Sequence, residues 1–362
     1  MYNIDWIRVI AFDLLILYHV GMIFVPWDYH LKNNVISGSF TKPMMLLNQW
    51  RLPILFVISG MGTYFALSHR TGGLYIKERL TRLFIPLLFG ILIIIPPQVY
   101  FERLSQGNNF QSIFHFYPNF FKGIYPKGNL SWGHLWFVVY LLFYSLLLTP
   151  LFLYIKRKPD IKPIVWLSRM ADKFPVILYL FIIPLIIIEV SLERHFPPTL
   201  AFWGDWFVLS FYGILFFYGF LLVSLKDKLW IALIKGRRIF LLATIIFITI
   251  FFFFFQYIEY PITCITRIIY LWSMILLILA YSAKYLNKPS RLLSYRNKAV
   301  YPFYILHQTV LLVLAYYLIN VEMNILFKFL LLTIGTFGIS WLVYECLLRR
   351  IKILRPLFGL KK

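Results

Sequence analysis

The chain has 362 residues, 61% of them hydrophobic and only 14% charged, with a mean hydropathy of +0.76. That composition is a polytopic membrane protein's and lies far from a soluble globular domain's. The net charge of +22 would suit a nucleic-acid binder, but its distribution excludes that partner: 26 of the 36 Lys and Arg lie in segments 69–82, 156–174, 226–238, 284–300 and 348–362, and six in the alternate segments 27–42, 102–133, 191–202, 258–260 and 320–324.

Hydropathy predicts ten spans, approximately 6–26, 43–68, 83–101, 134–155, 175–190, 203–225, 239–257, 261–283, 301–319 and 325–347. The expected fold class is therefore all-α, a bundle of about ten transmembrane helices forming one membrane-embedded domain over 1–362. The basic asymmetry follows the positive-inside rule, which puts both termini in the cytoplasm and lets the basic surface meet anionic lipid headgroups. The first span lacks the basic leader and small-residue cleavage site of a signal peptide. Cys264 and Cys346 are expected at opposite depths, where they cannot pair, and no zinc or haem spacing occurs, so no metal is expected. No convincing internal repeat appears, which weakens an inverted-repeat transporter reading.

Span one holds Asp5, Arg8 and His19. Eleven residues close to within about 20° of three turns, so Arg8 and His19 share a face about 16 Å apart, with Asp5 positioned to pair with Arg8. An ionisable group at such depth needs a partner or a water-filled cavity and marks function by default. Span two carries Gln49 and Arg51, then small residues at Ser59, Gly60 and Gly62 that allow close approach, helix to helix or helix to ligand. In the following loop Arg79 and Arg82 stand one helical turn apart and offer two guanidinium forks for phosphate oxygens. His134 and Trp136 open span four, at an interface suited to a carbohydrate. Asp205, Arg267 and Glu345 fall within or beside apolar runs, and His307-Gln308 sits early in span nine. With the topology above, Arg8, Arg79, Arg82, His307 and Glu345 form an inner layer, and His19, Gln49, Arg51, His134, Asp205 and Arg267 an outer one. The two layers suggest a path from a cytoplasmic pocket to an outer pocket.

Six segments in order resemble the acyltransferase-3 family of membrane O-acyltransferases. They are Asp5-x-x-Arg8 with His19, Phe56-x-x-Ser59-Gly60, Arg79-x-x-Arg82, Gly133-His134-Leu135-Trp136-Phe137, Tyr304-x-Leu306-His307, and the ending from Tyr344-Glu345 to Leu354-Arg355-Pro356-Leu357-Phe358-Gly359. The ending is similar to the glucan biosynthesis protein C branch, the periplasmic glucan succinyltransferases. The resemblance implies transfer of an acetyl or succinyl group from cytoplasmic acyl-CoA, a co-substrate and not a bound cofactor, to a hydroxyl of an extracytoplasmic or lipid-linked saccharide at the bacterial inner membrane. It implies His19 as catalytic base or acyl relay with Arg8 and Asp5 at the donor end. Arg79, Arg82, Ser59 and Gly60 would hold the CoA moiety; Arg51, His134, Trp136, His307 and Glu345 would serve the substrate, Glu345 by orienting an imidazole. The rival class is a transporter or flippase using the same buried charges without bond chemistry.

Overall fold

Proline and glycine punctuate the chain in the computed structural model, which describes residues 1–158, 160–254 and 257–361. Pro150, Pro163 and Pro175 each lie in the first turn of a helix, where the missing N–H has no intrahelical partner to lose. Among the described residues every regular element is helical. In chain order they are α1 (Tyr2–Met22), α2 (Gly38–Ser68), α3 (Gly72–Ser105), α4 (Ile113–Phe120), α5 (Gly133–Leu147), α6 (Thr149–Arg157), α7 (Lys162–Lys173), α8 (Pro175–Leu192), α9 (Trp206–Ser224), α10 (Asp227–Phe254), α11 (Ile262–Tyr285), α12 (Arg291–Leu318) and α13 (Ile325–Leu348).

Among the described residues eight helices are long and apolar enough to cross a bilayer, and nine if α5 and α6, bent by 47°, form one span. The sequence leads to ten. The remaining helix is α1, whose 21 residues suffice for a crossing but include Asp5, Arg8 and Asp13. Phe255 and Gln256 at the end of the seventh expected span, Pro159 in the basic segment 156–174 and Lys362 lie outside the described residues.

Two boundaries differ from the hydropathy reading. Segment 69–82, expected as a loop, is helical from Gly72, so Arg79 and Arg82 ride on α3, Arg79 just before and Arg82 within a π-turn at Leu80–Phe84. Helix α12 starts at Arg291, ten residues before the apolar run, because Arg, Lys and Ser continue the helix ahead of the membrane core. His307 is thus well inside its helix.

The chain divides into two compact units that interleave in sequence: Met1–Ala11, Met45–Lys77 and Tyr140–Ser294 form the first, and Phe12–Met44, Glu78–Val139 and Tyr295–Lys362 the second. In the first, α2 and α9 cross at glycine. A Cβ on Gly60 would fall on the Phe216 carbonyl, and one on Gly219 on the Val57 carbonyl, so neither position admits a side chain without moving backbone. In the second, Val20, Ile23, Phe24, Leu31, Leu311 and Leu332 belong to one buried cluster that seats the end of α1 and the loop after it.

Candidate functional site

A chain of imidazoles in the second unit is the most organised polar feature of the protein. His19 on α1 lies with Nδ1 2.9 Å from Nε2 of His307 on α12, and the two rings stack at 5.1 Å. His307 is fully buried, and its Nδ1 is 2.7 Å from the Tyr304 carbonyl oxygen one turn earlier. A carbonyl only accepts, so the His307 proton sits on Nδ1 and its Nε2 is an acceptor. His19 then donates to it from Nδ1. The tautomers of both rings follow from one backbone oxygen.

His134, at the start of α5, has Nε2 3.0 Å from the same Tyr304 oxygen and 3.2 Å from that of Ile305. Its proton is therefore on Nε2, and Nδ1 accepts from Gln98 Nε2 at 3.3 Å. Gln98, 1% exposed on α3, gives its second hydrogen to Thr309 Oγ1 at 2.7 Å, and Thr309 donates to the Ile94 carbonyl. That carbonyl ends the π-turn Gly90–Ile94. Gly133 makes the approach possible: its φ is +46°, and a Cβ would stand 3.0 Å from Ile95 Cδ1 and 3.3 Å from Gln98 Oε1. Both nitrogens of His134 are thus committed to the scaffold, while Trp136 is buried two residues later in α5.

The loop after α1 continues the polar line. The Tyr29 ring stacks on His19 at 6.2 Å and meets His30 at 5.2 Å. His30 Nδ1 lies 2.5 Å from Oε2 of Glu102, which is 3% exposed near the end of α3. Tyr125 donates to Glu102 Oε1 at 3.0 Å, and burial followed by the Glu102 charge pushes its hydroxyl up to about 12. Lys32 ties the loop to α1 through the Met22 and Val25 carbonyls, and burial lowers its pKa despite Asp28. Lys328 on α13 holds Asn33 at 2.7 Å and the Ile319 carbonyl at 2.9 Å. No pattern in the sequence points to His30 or Glu102: one stands on a loop, the other at a helix end, and no period links them. Asp13, which pairs with Arg296 across α1 and α12, was equally hidden in an apolar run.

At the other end of the second unit Arg79 and Arg82 are half-buried on α3, with Arg82 3.4 Å from Glu78. The tail folds back onto them. Phe358 is buried against Phe89 at 5.4 Å, and Gly359, at φ +70°, lies against the Tyr301 ring and the Arg82 carbonyl. Glu345 orients none of these imidazoles: it accepts from Tyr295 at 2.5 Å and pairs with Arg349 at 2.7 Å. The sequence put His307 and Glu345 at one depth. In the structure His307 joins His19 and Glu345 does not.

The first unit holds the other sequence candidates. Asp5 pairs with Arg8 at 2.9 Å, and a Cβ on Gly62 would come within 3.7 Å of Arg8 Nη2. Ser59 donates back to the Leu55 carbonyl at 2.6 Å, and Gly60 serves the α2–α9 crossing. Buried Arg51 donates to Asn48 Oδ1 at 3.2 Å. Arg267 donates to Glu193 at 2.6 Å and to Glu189. Glu189, Glu193 and Cys264 each bring one potential ligand atom within 4.8 Å of the others, but the guanidinium already supplies the cation. Both cysteines are free thiols, Cys264 buried and Cys346 exposed.

No curated protein and no solved structure matches the chain. A family model does, the acyltransferase domain of the acyltransferase-3 type, over residues 1–345. That span takes in the imidazole chain, the Arg79–Arg82 pair and nearly every apolar helix, and it decides between bond chemistry and transport. The chain belongs to the acyltransferase-3 family and is a multi-pass membrane acyltransferase.

Proposed function

We propose that the protein moves an acetyl or succinyl group from cytoplasmic acyl-CoA to a hydroxyl of an extracytoplasmic or lipid-linked saccharide at the bacterial inner membrane. A glucan of the kind acylated by the glucan biosynthesis protein C branch is the preferred acceptor. The observation that carries this reading is the His19–His307–Tyr304 line. A backbone oxygen holds His307 and His307 holds His19, so the orientation of both rings is fixed. A sugar hydroxyl is a poor nucleophile at neutral pH, and an imidazole of fixed tautomer is suited to take its proton or to carry the acyl group covalently. Arg79 and Arg82 on α3 supply charge for the CoA phosphates, with Arg8 and Asp5 serving the donor end. Ten spans with both termini in the cytoplasm, α1 included, put donor and acceptor on opposite sides.

The test is CoA release and saccharide esterification by purified protein. His19→Gln is expected to lower turnover by roughly 10²–10⁴-fold, more for a covalent relay, while acyl-CoA still binds. Near-normal turnover in that variant sinks the assignment. Acyl-imidazole trapped by rapid acid quench would select the relay.

A further inference from the structure

We propose that Gln98 is a positioning residue for the transfer: from α3 it fixes the tautomer of His134 and, through the Tyr304 carbonyl, the placing of His307 and His19. This rests on the acyl-transfer reading above and adds to it the groups that hold the imidazole line still. A carbonyl oxygen offers two lone pairs, and that of Tyr304 receives His307 Nδ1 at 2.7 Å and His134 Nε2 at 3.0 Å. The two imidazole rings stand edge to face with centroids 5.0 Å apart. Tyr304 in turn donates its own hydroxyl to the His134 carbonyl. Each residue thus bonds the other's backbone with its side chain, which clamps α5 to α12. His307 then passes the placement on to His19 at 2.9 Å.

The clamp works with one tautomer of His134. With its hydrogen on Nε2 the ring donates to the Tyr304 and Ile305 carbonyls. With the hydrogen on Nδ1, the Nε2 lone pair would face those two oxygens at 3.0 and 3.2 Å, and either the ring or a carbonyl would have to move. One of those carbonyls holds His307. Gln98 decides between the tautomers. Its Nε2 lies 3.3 Å from His134 Nδ1 and 2.7 Å from Thr309 Oγ1, and the Thr309 hydrogen goes to the Ile94 carbonyl. The amide nitrogen therefore meets two acceptors, and its N–H excludes a hydrogen from His134 Nδ1. Backbone oxygens stand at both ends, Ile94 beyond Thr309 and Tyr304 beyond His134, so the direction of every bond between them is set. Gln98 is 1% exposed and His134 5%, which keeps bulk water from taking over either bond. Because both nitrogens of His134 are used, the ring acts on the reaction through His307 and not through the substrate.

The experiment uses full-length protein in detergent, with acetyl-CoA and succinyl-CoA as donors and a β-linked glucose trisaccharide as acceptor. It reads kcat, both KM values and the imidazole nitrogen resonances of isotope-labelled histidine, those of His134 being identified by their loss in His134→Gln. Gln98→Met keeps length and burial but removes both N–H donors. It is expected to lower kcat roughly 10–10²-fold, to leave both KM values within about twofold, and to mix the His134 tautomers. Thr309→Ser keeps the hydroxyl that receives the Gln98 hydrogen and should hold kcat within about twofold, whereas Thr309→Val keeps the shape without it and should lose several-fold. That pair decides the matter should Gln98→Met fail to fold: equal kcat in Thr309→Ser and Thr309→Val overturns the proposal. So does a Gln98→Met enzyme with wild-type kcat, one that loses kcat with the His134 tautomer unchanged, or one in which only the trisaccharide KM rises. Wild-type protein that releases no CoA sinks the acyl-transfer reading, and this proposal with it.

Discussion

The two units handle buried polarity in opposite ways. In the first, Asp205 accepts from the Tyr140 hydroxyl at 2.7 Å and from the Leu200 N–H at 2.8 Å, and the Phe202 N–H donates to Tyr140 in turn. Leu200 and Phe202 both sit at positive φ without being glycine, so this ring of bonds holds a strained loop in place. Arg267 is likewise shared between Glu189 and Glu193. These networks close on themselves. In the second unit a line of imidazoles runs from a backbone oxygen through His307 to His19, and His30 pairs with Glu102. Depth alone does not separate a lock from a catalytic group, because Asp205 is as buried as His307. What separates them is the chemistry of the groups: carboxylates held by a hydroxyl or a guanidinium in the first unit, proton-exchanging imidazoles in the second.

The largest effect should come from breaking the imidazole line at His307. His307→Leu leaves the His19 Nδ1–H without its acceptor and frees the tautomer, and turnover is expected to fall roughly 10²-fold or more. His307→Gln offers an amide oxygen to the same proton and should recover at least a tenth of wild-type turnover. Equal losses in the two variants, at equal melting temperature, would mean that His307 fills space and orients nothing.

The closed network should fail in stability instead. Asp205→Ala removes an acceptor from the Tyr140 hydroxyl and the Leu200 N–H and loosens a strained loop, which should cost about 2–4 kcal/mol. Thermal unfolding in detergent should show the loss, with turnover per folded molecule unchanged. A fall in turnover with stability intact would move Asp205 into the catalytic machinery and erase the contrast between the units.

How far these roles could be read from sequence follows the same division. His19 was legible because an ionisable residue interrupts an apolar period, and the glycines of α2 because small residues at helical spacing permit close crossing. His307 was visible as a residue, but its pairing with His19 was not, since no period links two helices so far apart in the chain. Tyr304 does its work through a backbone oxygen, which no side-chain pattern reports. His30 and Glu102 meet only because the loop after α1 is pinned by Lys32 and Lys328, and that pinning is tertiary.

A smaller effect is expected at the arginine pair. If Arg79 and Arg82 fork onto CoA phosphates, each Gln replacement should weaken acyl-CoA binding about tenfold and leave trisaccharide KM unchanged. Unaltered acyl-CoA affinity in the double variant, measured by calorimetry, would reduce both arginines to positive-inside charge.

The smallest effect separates two glycines of the second unit. Gly359 sits at φ +70°, and a Cβ there would press on the Tyr301 ring and stand 3.2 Å from the Arg82 carbonyl. Gly338, inside α13, has nothing within 4 Å of its Cβ position. Alanine in the left-handed region costs about 1–2 kcal/mol, whereas alanine for glycine within a helix gains roughly 0.5–1 kcal/mol. Gly359→Ala should therefore lower stability by about 1–2 kcal/mol and Gly338→Ala raise it slightly. The two need not differ only in sign. Because the tail lies on the helix that carries Arg79 and Arg82, Gly359→Ala should also loosen acyl-CoA binding by a few-fold, and Gly338→Ala should not. Matching melting shifts and matching acyl-CoA affinities in the two variants would show that the tail does not rest on α3, and that the arginine pair owes its geometry to the helix alone.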